Sequence, residues 1–271
     1  MQKMTFKKKE LLAIAVIAVI AVSGYLAYQH FFAPKEEIPS LNELLPKISA
    51  ASKKIKAYAF ELTVKSTFGN KRFTMYGEGK VDLEAEKMHM VLTLEVEGSS
   101  FKQEMYLIGT TAYIKVFGMW YKQAYPEDFW EEARRMGEKS LEIIKKSKAS
   151  VKGVEVIDGV KAYKIEIILT EETAKEALKI AMGGTFYSTS AMIKEMGFKE
   201  VKVIEWVDTE NYYLIKTYCI MRGSKKDPST GKTIDITIEV EYKFSDINKP
   251  VQIVLPEEAK GAKEIPGFGG S

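Results

Sequence analysis

Cysteine and histidine are almost missing from this chain of 271 residues, which has one cysteine and two histidines. A single cysteine excludes a disulfide framework and a thiolate metal cluster. Cys219 lies in a strand-like run, where we expect a buried and inert thiol. His30 falls in an apolar segment and His89 stands alone on a polar strand face, so we expect neither a metal site nor a Ser-His-Asp triad. The chain is therefore predicted to be non-enzymatic and to use no cofactor.

A strong net charge is missing as well. The formal charge is +3, and the first ten residues supply all of it, with Lys3, Lys7, Lys8 and Lys9 against Glu10. The remainder is neutral and lacks the basic field that gathers nucleic acid, so we expect no nucleic-acid partner. Lysine and glutamate dominate the charged residues while glutamine, asparagine, cysteine and histidine are scarce, a composition typical of hyperthermophile proteins.

One long hydrophobic run is present near the N-terminus. From Leu11 to Phe32 there is no charged residue, and as a helix the run would be roughly 33 Å long, enough to cross a hydrocarbon core of about 30 Å. The lysines in residues 1–10 predict a cytoplasmic N-terminus, a single-pass signal anchor and a main domain outside the cytoplasm. The alternative is a cleaved signal peptide, with small residues at Ala21 and Ser23, which would give a secreted protein.

The exported part is organised as a linker, one domain and a tail. Residues 33–39 contain two prolines and form a stiff spacer. Ser40 and Glu43 have the spacing of a capping box and predict that a helix begins there. Further helices are predicted after Pro126 and over 171–182. Residues 40–260 form the domain, and the glycine-rich residues 261–271 a flexible tail.

The strands of this domain are predicted from apolar residues that alternate with polar ones. In the stretch from Ile234 to Phe244 one face is apolar and the other polar, which indicates an antiparallel sheet covered on one side. Gly77 and Gly79 stand within this meander and open no helix, so we expect a β-bulge or a turn there rather than a phosphate loop. The predicted strands are 58–67, 71–84, 87–97, 101–108, 112–117, 119–123, a set that begins near 151, 200–207, 211–221, 232–244 and 250–254.

Three segments carry a family resemblance. Residues 111–122 place a tyrosine strand before a tryptophan strand, residues 154–165 form a strand–turn–strand unit, and residues 244–259 contain the pattern D-x-N-x-P-V-x-I-x-x-P. Together they span about residues 40 to 260, and they resemble the LolA/LppX-like lipoprotein-carrier superfamily.

The resemblance implies an α+β fold that is mainly antiparallel β. It implies a strongly curved, incomplete β-barrel, or half-barrel, with helices packed on its concave face and an apolar cavity for acyl chains. The chain departs from the bacterial pattern because it lacks a lipobox cysteine and carries its own anchor, so it is identified as an archaeal-type, membrane-anchored member. A tethered domain can hold or present a lipid, but it cannot diffuse away with one.

Soft and aromatic residues are abundant on the presumed inner faces of the strands. Methionine is flexible and polarizable, so it suits a cavity that accepts chains of varied shape. Residues 183–197 form a long loop that we interpret as a mobile entrance. The predicted ligand-contacting residues are Phe60, Leu62, Val64, Met88, Met90, Leu92, Leu94, Tyr163, Ile165, Ile167, Met182, Phe186, Met192 and Met196.

The leading hypothesis is the binding of a lipid, of lipoprotein acyl chains or of another lipophilic ligand outside the cytoplasm, without a covalent step. The alternative is a structural or interaction module of the cell envelope, which presents a sheet surface to a protein partner. Simple packing of the same apolar residues against the helices is the competing explanation for each one of them.

Overall fold

The computed structural model describes residues 38–181, 197–226 and 231–265. None of the helices in these ranges is long and apolar enough to cross a membrane. The predicted anchor, and the predicted ligand-contacting residues Met182, Phe186, Met192 and Met196, lie outside the described residues.

The described part contains twelve strands and four helices. Four helices, α1 to α4, span Leu41–Ser52, Phe129–Lys146, Glu171–Ala181 and Glu257–Lys260. Strands β1 to β6 span Ala57–Phe68, Lys71–Asp82, Lys87–Val96, Ser99–Ile108, Thr111–Val116 and Met119–Ala124. Strands β7 to β12 span Lys148–Ile157, Val160–Leu169, Phe198–Asp208, Leu214–Lys226, Thr233–Ser245 and Lys263–Glu264.

All twelve strands belong to one open, curved sheet. Their order is β12-β6-β5-β4-β3-β2-β1-β11-β10-β9-β8-β7. Every neighbouring pair is antiparallel except β12 and β6. The two meanders join where β1 pairs with β11, from Ala59 opposite Ser245 to Phe68 opposite Ile236. The predicted α+β class with a mainly antiparallel sheet is confirmed.

The helices begin where local hydrogen bonds favour them. Ser40 and Glu43 form the predicted capping box at α1, in which the Ser40 amide donates to Glu43 Oε2 at 2.7 Å. At α3 the Thr170 amide donates to Thr173 Oγ1 at 2.8 Å, and the Thr173 amide donates back to Thr170 Oγ1 at 3.3 Å. Each pair satisfies amide groups that have no partner within the helix.

Helices α1, α2 and α3 pack on one face of the sheet, which we call the inner face; the opposite one is the outer face. Leu44, Ile48, Ile144, Ile165 and Ile167 share one core with β8, β9 and β10. At the other end of α2, Trp130 packs on Val81, Leu107 and Ala112. Its Nε1 donates to the Gly109 carbonyl at 2.6 Å. Helix α2 therefore contacts both meanders.

The outer face near β4, β5 and β6 is covered by the C-terminal segment. Ile253, Ala259 and Ala262 form a buried cluster with Tyr106 and Trp120. The prediction of a strand at 250–254 is wrong, because this segment is extended but joins no ladder. The predicted tail also begins later than residue 261, because Ala262 is buried and β12 pairs with β6 at Tyr121 and Lys122.

Candidate ligand-binding face

The strand register decides which predicted residues share a face. Leu62 lies opposite Gly77, and Gly77 lies opposite Leu92, so β1 and β3 present their apolar side chains on the same side of β2. The same register, followed through Tyr242, Thr217 and Glu205, leads to Ile165 on β8. Ten predicted residues therefore lie on the inner face: Phe60, Leu62, Val64, Met88, Met90, Leu92, Leu94, Tyr163, Ile165 and Ile167.

These ten residues do not form one uniform surface. Ile165 and Ile167 are completely buried against the helices, and Leu62 is also buried. Leu94 is 38% exposed, and Val64 and Leu92 are partly exposed. The first group serves as core, whereas the second group is accessible to a ligand.

Gly77 and Gly79 bring β1 and β3 close together over β2. A methyl group at Gly77 would lie 2.9 Å from Leu92 Cδ2, and one at Gly79 would lie 2.6 Å from Phe60 Cζ and from the His89 carbonyl oxygen. The ladder continues through both glycines without a register shift, so the predicted β-bulge or turn is wrong. Strand glycines of this kind let a sheet bend toward the face that lacks side chains.

The inner face of β1 to β4 is covered at one end and open at the other. At the covered end Val81, Leu107 and Ala112 are buried under Trp130. Toward the β1–β2 and β3–β4 turns, the described residues leave the apolar side chains partly exposed. These side chains, the open end, are Val64, Phe68, Phe73, Met75, Leu92, Leu94 and Phe101.

Exposed aromatic and sulfur-containing side chains extend the open end to the turn between β5 and β6. Phe117 is 80% exposed, and its ring lies 5.1 Å from that of Phe101 in an edge-on arrangement. Met119 is half exposed. An exposed apolar surface of this size in a folded domain is typical of a binding site.

One row of the inner face carries oxygen atoms. Glu205, Thr217 and Tyr242 follow one another on β9, β10 and β11, between Ile165 and Leu62. Burial raises the pKa of the Glu205 carboxyl to about 7, and burial also raises the pKa of the Tyr242 hydroxyl. Part of the Glu205 side chain stays accessible, so this acid lies deep in the fold without being sealed from solvent.

Glu205 does not stand out in the sequence. It sits in the run Val203, Ile204, Glu205, Trp206, Val207, in which both faces carry apolar residues. The signal that could have found it is its parity with Val201, Val203 and Val207, which places it among inward-pointing residues. Only the register shows that Thr217 and Tyr242 are its neighbours.

Cys219 and His89 have the environments that the sequence predicts. Cys219 is half-buried on β10, and burial raises the pKa of its thiol to about 11. His89 is on the outer face, stacked on Tyr106 at 4.3 Å and within 3.1 Å of Glu104 Oε1. Among the described residues no group of histidine, cysteine or carboxylate side chains could hold a metal ion.

The outer face of β7 to β11 is polar and ion-paired. Trp206 donates to Glu155 Oε2 at 2.7 Å and lies between the ammonium groups of Lys164 and Lys216. The hydrogen bond from Lys164, followed by the one from Trp206, lowers the pKa of Glu155. This surface has few apolar contacts to offer a hydrophobic ligand.

Two clefts of about 380 Å³ each lie at other places on the domain. The first is lined mainly by charged residues around Lys53 and Arg134, and the second surrounds the β3–β4 turn. Neither lining includes a predicted ligand-contacting residue, so the open end is the stronger candidate for a lipophilic ligand.

Comparison with known proteins gives one family match and several similar folds. A family model described as "Family of unknown function (DUF6612)" matches residues 40–264. No curated protein sequence matches the chain.

The similar solved structures belong to lipoproteins and a LolA-superfamily protein. Lipoprotein LppX of Mycobacterium tuberculosis is 15% identical with a TM-score of 0.47, and the alignment covers 79% of this chain and 100% of LppX. LprF of Mycobacterium bovis is 15% identical with a TM-score of 0.49, covering 79% and 95%. The LolA-superfamily protein NE2245 of Nitrosomonas europaea is 9% identical with a TM-score of 0.24, covering 79% and 96%. Each TM-score lies below 0.5, so the proposals below rest on the residues of this chain.

Proposed function

The chain belongs to the DUF6612 family of unknown function, and we propose that its domain binds a lipid or another lipophilic ligand at the open end of the inner face. The observation that carries the proposal is the partly exposed apolar surface of β1 to β4, which α2 covers at one end only. The ligand is held by apolar burial, and no covalent step is involved.

The location of the domain is part of the proposal. The uncharged run from Leu11 to Phe32 anchors the chain in the cell membrane, with the lysine-rich N-terminus in the cytoplasm and the domain outside. A tethered domain presents its ligand at the membrane surface. The predicted entrance loop would cover the open end, and Met182, Phe186, Met192 and Met196 would contact the ligand from that loop.

The envelope interaction module remains the alternative. The ion pairs on the outer face of β7 to β11 do not favour a tight protein interface there, because exposed pairs of this kind contribute little binding energy. The apolar surface lies on the inner face, whose concave shape suits a ligand better than a flat partner.

Ligand binding is tested with two substitutions at neighbouring positions of β3. Leu94→Asp puts a carboxylate on the open end, whereas Thr93→Asp puts the same group on the outer face, opposite Tyr76 and Lys102. Displacement of a fluorescent apolar reporter from the full chain is measured with octanol and dodecanol, in the same detergent for every variant.

We expect dodecanol to bind the unmodified chain roughly 100-fold more tightly than octanol, because each buried methylene contributes about 0.8 kcal/mol. Leu94→Asp should weaken dodecanol binding at least about tenfold, and Thr93→Asp should leave it unchanged. Native mass spectrometry of the purified chain should also detect a co-purified lipid. Equal binding by both variants, or no binding of any alcohol, would show that the open end is not the site.

A further inference from the structure

The row of Glu205, Thr217 and Tyr242 has the makings of a polar subsite within the proposed lipophilic site, and the inference drawn from it rests on that proposed function. Neighbouring strands are about 5 Å apart, so Thr217 lies directly between the other two residues. Apolar side chains flank the row on both sides along β9, namely Val203 and Val207. Three oxygen-bearing side chains thus share an otherwise apolar wall.

Among the residues that the structure describes, these three side chains have no hydrogen-bond or ion-pair partner. None of their oxygen atoms is fully shut off from solvent, since no buried side-chain nitrogen or oxygen of the described part lacks a partner. Most acids of this domain pair with lysine or arginine, as Glu155, Glu166, Glu200 and Glu241 do. Glu205 is therefore an unpaired acid that a bound group can reach.

The groups that face Glu205 on the inner side are known from each packed element. Strand β8 contributes Tyr163, β10 contributes Cys219 and β11 contributes Tyr242, all of them neutral at pH 7. From α1, Lys47 lies near Tyr163 and donates to the Tyr212 hydroxyl at 3.2 Å. Burial is the cause that raises the pKa of Glu205, and no charged neighbour contributes to it.

We propose that Glu205, Thr217 and Tyr242 bind the ammonium group of a lipophilic amine whose hydrocarbon chain occupies the open end. An ammonium group has three N–H donors and no acceptor, and carboxylate, hydroxyl and phenol oxygens all accept. An unpaired carboxylate in an apolar wall attracts a cation more strongly than an exposed one does, because less water screens it.

The same row disfavours the other common lipid headgroups. A phosphate or a fatty-acid carboxylate would place a second negative charge beside Glu205. A neutral hydroxyl can bond to the row in either protonation state, but it gains no charge pairing. The amine is the class that uses the charge of Glu205.

The test compares two ligands of equal chain length, dodecylamine and dodecanol, by displacement of the fluorescent reporter from the full chain at pH 8. Two variants are measured beside the unmodified chain. Glu205→Gln removes the charge and keeps the shape, whereas Glu200→Gln removes an exposed acid of the same strand that pairs with Arg222 at 3.0 Å on the outer face.

We expect dodecylamine to bind at least about tenfold more tightly than dodecanol to the unmodified chain and to Glu200→Gln. Glu205→Gln should bind both ligands with the affinity of dodecanol. In the unmodified chain the preference should shrink at pH 5.5, where Glu205 takes up a proton while the amine stays charged.

Each other result has a definite meaning. Dodecanol binding without a preference for the amine, or a preference that survives Glu205→Gln, would overturn the amine subsite and leave the proposed lipophilic site intact. Failure of both ligands to displace the reporter from any of the three proteins would overturn the lipophilic site and the subsite together.

Discussion

Single glycine residues shape the inner face as much as the large side chains do. Gly77 and Gly79 are the positions at which Leu62, Leu92 and Phe60 lean over β2. The sequence shows the two glycines within a strand pattern, but it does not show which side chains fill the space above them. That information depends on the register of three strands, which no local pattern contains.

Gly79→Ala should destabilise the domain by about 1–3 kcal/mol, because the added methyl group would overlap the His89 carbonyl and the Phe60 ring. Gly261→Ala is the matched control, since its methyl group would meet nothing closer than 3.9 Å. We expect the control to change the free energy of unfolding by less than about 0.5 kcal/mol. Chemical denaturation of both variants checks this, and equal stabilities would contradict the close packing at Gly79.

Glu205 also makes stability depend on pH. Its pKa is about 7 in the folded chain against an ordinary value of 4.5, so the folded state binds the proton more tightly. The free energy of unfolding should therefore fall as pH rises from about 4.5 to about 7, by on the order of 2–3 kcal/mol. The outer-face acids act in a different window, because hydrogen bonds from Lys164 and Lys202 lower the pKa of Glu155 and Glu166; their contribution is lost below about pH 4.5.

Denaturation at pH 5 and pH 8 measures this effect. Glu205→Gln should be more stable than the unmodified chain at pH 8 and should show a smaller difference at pH 5. An identical pH dependence in the two proteins would mean that Glu205 is solvated like an ordinary surface acid.

Most helices and strands were predictable from local pattern, and the exceptions have physical reasons. Alternation located β1 to β6 and β11, and the capping box located α1. The segment after Asn248 alternates as well, but Pro250 and Pro256 lack amide donors, and the segment packs on the outer face instead of joining a ladder. Burial in this segment comes from α4, a helix too short to leave a periodic signal.

Helix α4 should tolerate change on one side only. Ala259→Glu would put a charge into the cluster with Trp120 and Tyr106, where Ala259 is fully buried. We expect a loss of at least about 2 kcal/mol in the free energy of unfolding. Lys260→Glu, at an exposed neighbouring position, should cost less than about 1 kcal/mol, since its bond to Glu257 is an exposed pair. Thermal and chemical unfolding compare the two, and similar losses would argue against docking of α4.

The molecule as a whole is one sheet made from two meanders. The sequence was sufficient to predict an antiparallel sheet with an apolar inner face, and ten of the predicted residues do lie on that face. It was not sufficient to separate core from accessible surface, because that depends on where α2 crosses the sheet. It also gave no sign of the row through Glu205, which three non-adjacent segments assemble.

The pairing of β1 with β11 bears on how the chain folds. During synthesis β1 emerges early, whereas its partner, which includes Ser245, is almost the last strand to be made. Until then one edge of the first meander has unpaired amides and carbonyls, and such edges recruit strands from other chains. Contacts between residues so distant in sequence also slow folding. The joint that unites the sheet is thus the step at which an incomplete chain is most exposed to aggregation and to chaperones.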